Sequence, residues 1–76
     1  MDLLKVIENF NTKELFDFFN RQDILQLHLD ENDYEILNKS KFTGTSFCIC
    51  SQDDLIYNEL KYFTALAICE LRRKIE

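Results

Sequence analysis

Seventy-six residues, 46% hydrophobic with seven Phe and three Tyr, specify one domain that folds but buries only about 60% of its unfolded surface. That content excludes a disordered chain, and no stretch approaches the ~20 apolar residues of a membrane span. A net charge of −5 argues against nonspecific binding to a phosphate backbone.

The charge is local. Residues 23–35 hold Asp23, Asp30, Glu31, Asp33 and Glu35 and no Lys or Arg. Pro is absent and Gly44 is the one glycine, which leaves few sharp turns and no flexible linker. Met1 to Phe10 carries acids and lacks an uninterrupted apolar core, so no secretory signal is expected. Three cysteines cannot all pair within one chain, and a reducing cytoplasm is the simplest home. Abundant Asn, Lys, Ile and Phe with no Trp suggest an AT-rich genome, as in a phage, a mobile element or a low-GC bacterium.

In chain order, Leu3, Leu4, Ile7 and Phe10 recur at helical spacing, with Lys5 and Glu8 on the other side. Asn11, with Glu14 three residues on, marks a capping box and a second helix over about Thr12–Gln22. Leu15, Phe18 and Phe19 face its core side, and Phe16 lies at the edge of that face. From Ile24 the period becomes two. Leu25, Leu27 and Leu29 alternate with Gln26, His28 and Asp30, the pattern of a half-buried strand. Asp30–Asp33 is expected to turn the chain, Tyr34–Asn38 to return as a second strand, with a short helix starting at Tyr34 as the alternative, and Lys39–Thr45 to form a loop or hairpin end. Ser46–Cys50 is short, apolar and β-prone and is expected as the third strand.

The last third, Asp53–Glu76, reads as one helix of about 35 Å, crossing a molecule only about 30 Å wide. Its stripe is Ile56, Leu60, Phe63, Ala67 and Leu71. Leu55, Tyr62, Leu66 and Cys69 widen it on one flank, and Tyr57, Ile68 and Ile75 on the other. Ser51 caps it with Asp54, and Arg72, Arg73 and Lys74 complement the dipole at its end. The expected fold is α+β in a single domain over residues 1–76. Two N-terminal helices, a three-stranded antiparallel sheet and the long C-terminal helix pack in two layers.

No residue set carries a catalytic or cofactor signature. Cys48, Cys50, Cys69 and His28 are too irregularly spaced for a zinc site, and the thiols read as small reduced hydrophobes. A Cys48–Cys50 disulfide is disfavoured, because a strand holds same-face neighbours nearly 7 Å apart. The acidic run misses the calcium-loop pattern at Tyr34, Glu35 and Lys41. His28 has no activating partner. Arg72, Arg73 and Lys74 are explained by the helix dipole before any nucleic acid.

The remaining features point to binding. Asp30, Glu31, Asp33 and Glu35, on an exposed hairpin, suit a partner with a basic groove. The last helix has more apolar surface than one small sheet covers, so Phe16, Tyr57, Tyr62, Leu66 and Cys69 are candidates for a partner or dimer contact. The expected function is that of a stoichiometric protein-binding inhibitor or regulator, not an enzyme. Size and acidity are similar to those of small phage inhibitors such as anti-CRISPR proteins. The alternative is a homodimer, or a subunit of an assembly, with the last helix as its seam. No metal, cofactor, nucleic acid or membrane partner is expected.

Overall fold

The computed structural model describes residues 2–21 and 29–76, and every element in them is a helix. These are α1 (Leu3–Ile7), α2 (Thr12–Asn20), α3 (Glu31–Lys39), α4 (Gly44–Ile49), α5 (Gln52–Tyr57) and α6 (Tyr62–Ile75). Helix covers 72% of the described residues and no strand occurs among them, which overturns the expected α+β fold.

Tyr34–Asn38, expected as the second strand, lies inside α3, and Ser46–Cys50, the expected third, is α4 with its C-cap. The first strand falls outside the described residues, apart from Leu29 and Asp30. Local capping explains the correction. Asp30 accepts the Asp33 amide at 2.8 Å while the Asp33 carboxylate accepts the Asp30 amide at 3.1 Å. Thr43 and Ser46 form the same reciprocal pair. Each box satisfies backbone donors that a helix start otherwise leaves open. A five-residue apolar run such as SFCIC carries no period that separates strand from buried helix.

The single C-terminal helix is also corrected. Ser51 and Asp54 form the expected box, but the helix they start ends at Tyr57. Glu59 takes φ 75°, and the amides of Glu59 and Leu60 return to the carbonyls of Ile56 (2.9 Å) and Leu55 (3.2 Å). This is a Schellman closure, and Leu60 and Leu55, both buried, supply its apolar contact. The end of α3 repeats it: Lys41 takes φ 55°, and Phe42 returns to Leu37 at 3.0 Å. The chain thus turns sharply twice without glycine at the left-handed position.

The core draws on all six helices. Ile7 comes from α1, Leu15 and Phe19 from α2, Leu37 from α3, Phe47 from α4, Leu55 from α5, and Ala65, Ile68, Cys69 and Leu71 from α6. Phe19 and Phe47 meet edge to face at 5.5 Å near its centre. The turn at Glu59 resets the helical phase, so the buried face of α6 is not the stripe read from an unbroken helix. Phe63, placed in that stripe, is 78% exposed.

Gly44 sets the approach of α4 to α1. A Cβ there would lie 1.7 Å from the Ile7 carbonyl oxygen. The Gly44 amide donates to the Phe10 carbonyl at 2.9 Å, and the Thr45 hydroxyl to Glu8 at 3.0 Å. At the other end of α4, the Arg72 guanidinium from α6 donates to the carbonyls of Phe47 (3.5 Å) and Cys50 and touches the Cys50 thiol.

Candidate functional site

The acidic stretch is not a hairpin but the start of α3, and its four carboxylates have different tasks. Asp30 is the N-cap, and its second oxygen accepts from the Lys61 ammonium at 2.8 Å. That hydrogen bond, with the capping contact to Asp33, holds the Asp30 carboxyl below its ordinary range. The same bond raises Lys61. Asp33 is buried, with Lys61 3.9 Å from its other oxygen. Asp30 and Asp33 are therefore committed to the fold. Glu31 and Glu35 face outward, and Glu35 makes only an exposed pair with Lys39 at 3.3 Å.

Two helices bring Phe16 to these outward acids. Glu31, Tyr34, Glu35 and Asn38 form one face of α3 at i, i+3, i+4, i+7. Together with Asn11, Thr12, Lys13 and Phe16 from the start of α2 they line an open groove of about 670 Å³. Phe16 and Tyr34 pack edge to face on it at 4.8 Å. The Tyr34 hydroxyl donates to Asn20 at 2.6 Å, which fixes the ring, and burial raises its pKa.

A second surface surrounds the α5–α6 turn. Tyr57 ends α5 and is 88% exposed. Tyr62 and Phe63 open α6, also exposed, with their rings perpendicular at 5.4 Å. Lys61, immediately before them, is the residue bonded to Asp30, so the corner is anchored to α3. Of the other sequence candidates, Leu66 is half-buried and Cys69 is buried; neither belongs to this surface.

The thiols are in helical surroundings, not on a strand. Cys48 donates to Leu4 and Cys50 to Phe47. Burial, then the neighbouring Cys69 thiol, pushes Cys50 up to about 12, and burial also raises Cys48. Such thiols are poor nucleophiles at neutral pH. His28 lies outside the described residues. Among the described residues no three His, Cys, Asp or Glu side chains gather as metal ligands. Of the terminal cations, Arg72 is committed to α4 and Arg73 pairs with Glu70 at 2.6 Å. No helix of the described residues is long and apolar enough to cross a membrane.

Among the described residues six helices surround one core. The family described as SAM-like domain matches residues 1–74. The chain belongs to the SAM-like domain family. No curated protein and no solved structure matches it.

Within this SAM-like domain, sequence reading identified Phe16, Tyr57, Tyr62, Glu31 and Glu35 but separated them into an acidic hairpin and an apolar flank. The fold joins Phe16 to the glutamates and leaves the two tyrosines at another corner. Three contributors escaped it: Phe63, Tyr34 and Lys61. For Tyr34 a signal was present, since Asp30-x-x-Asp33 has the spacing of the capping pairs at Asn11 and Ser51. Taken as a cap, it puts Tyr34 on the same helix face as Glu31 and Glu35.

Proposed function

We propose that this SAM-like domain is a protein-binding module, working in the cytoplasm, that regulates a partner by stoichiometric association rather than by catalysis. One observation carries the reading. Tyr57, Tyr62 and Phe63, which a chain this small would otherwise use for its core, stand exposed about one short turn. Large aromatic side chains of this kind anchor interfaces, because they bring area and a polar tip at little conformational cost. The Asp30–Lys61 bond supports it further by fixing the turn that carries them. The high-lying, buried thiol of Cys50 accords with a binding role, since it is not poised to attack a substrate.

The test is capture from native host lysate with the tagged protein and with the double variant Tyr57→Ala/Phe63→Ala, both first checked for helical content. The expected result is one stoichiometric partner protein held by the native chain and lost by the variant. Capture of that partner by both would remove the corner from the reading. Recovery of the chain alone, with light scattering above monomer mass, would replace the partner with a second copy.

A further inference from the structure

We propose that the groove between α2 and α3 is a receptor for an arginine side chain on an exposed segment of a partner protein. This goes beyond the aromatic corner and does not depend on it. Of the four acids at the start of α3, the fold uses Asp30 and Asp33 for capping and for Lys61. Glu31 and Glu35 remain, one turn apart on the groove side. The Glu35–Lys39 pair is 63–77% exposed, so solvent screens it and an incoming cation displaces it at little cost.

On the same helix face as the two glutamates stands the Tyr34 ring, packed against Phe16 with the ring planes 63° apart and fixed through its hydroxyl. A guanidinium is planar and weakly hydrated. It can stack on an aromatic face while its N–H fork meets a carboxylate, and its methylene stem covers apolar surface. Lysine offers a charge without the plane, and an uncharged isostere offers the plane without the charge. Lys13, on the opposite lip, suits a carbonyl or carboxylate on the same segment. A phosphate or nucleic acid is disfavoured by the two glutamates.

The experiment is an amide-resolved NMR titration of the full chain with acetyl-Ala-Arg-Ala-amide. The same peptide carrying citrulline, then lysine, in place of arginine serves for comparison. Saturable shifts centred on Phe16, Glu31 and Glu35 are expected, with binding roughly tenfold weaker for citrulline because the charge is lost. Glu31→Gln/Glu35→Gln, both outside the capping box, should keep the native spectrum and lose the same factor. Equal binding of the citrulline peptide would overturn the proposal. So would shifts centred on Asp53 and Asp54, or no saturation up to the solubility limit. Loss of binding in Tyr57→Ala/Phe63→Ala with retention in the glutamine variant would move the peptide to the corner and also overturn it.

Discussion

Three residues show how narrowly this fold is tuned. Gly44 is needed for its missing Cβ and not for its dihedral freedom, since α4 starts against the Ile7 carbonyl. Backbone cannot yield as a flexible side chain does. Gly44→Ala should therefore cost about 3 kcal/mol or more, read as a fall in the urea midpoint; an unchanged midpoint would mean that α1 moves freely. Lys41 and Glu59 have the opposite problem: both carry a Cβ in left-handed conformations. That costs about 1 kcal/mol or more, partly recovered because glycine is more disordered when unfolded. Glu59→Gly should stabilise the domain by about 0.5–1 kcal/mol, a Tm rise of about 2–8 °C in thermal melts.

Elements this short are not stable alone, so their ends matter more than their propensities. Four capping boxes, at Asn11, Asp30, Thr43 and Ser51, start helices of six to nine residues. Two of these were legible as Asn11–Glu14 and Ser51–Asp54. The other two open in stretches read as a turn (Asp30–Asp33) and a loop (Lys39–Thr45) ahead of expected strands, and the local hydrogen bonding outweighed β-propensity there. The exception is α6, which has no side-chain cap. Its start is held instead by the bond from its N-cap residue Lys61 to Asp30 at the start of α3, and its last turn supplies Arg72 to the open end of α4. Sequence placed Arg72 at a helix end for its own dipole; the structure gives it the neighbouring helix.

At the scale of the molecule, the Lys61–Asp30 bond ties segments 31 residues apart. Its pH dependence follows from the two shifts. Asp30 is lowered on folding, so its contribution is present above the unfolded value near ~3.9 and lost as pH falls through the lower folded value. Lys61 is raised, so its contribution is present below ~10.4 and lost as pH rises through the higher folded value. The stability gap between the native chain and Lys61→Met should thus be flat over roughly pH 5–9 and close at both extremes. Urea midpoints across pH would show it, and a gap that persisted at acid pH would assign the loss to packing. The left-handed turn at Glu59 divides residues 53–76, expected as one helix of about 35 Å, between α5 and α6.

From sequence alone came the N-terminal helices, the caps at Asn11 and Ser51, and the exposure of Tyr57, Tyr62, Glu31 and Glu35. These depend on side-chain chemistry within four residues, or on totals. The break at Glu59, the face that α6 buries and the meeting of Phe16 with Glu31 and Glu35 were decided only by tertiary structure. The physical reason is range. Whether Leu55 and Leu60 close a turn, or Phe16 meets Glu31 and Glu35, depends on partners distant in the chain, and a pattern within five residues cannot report on them.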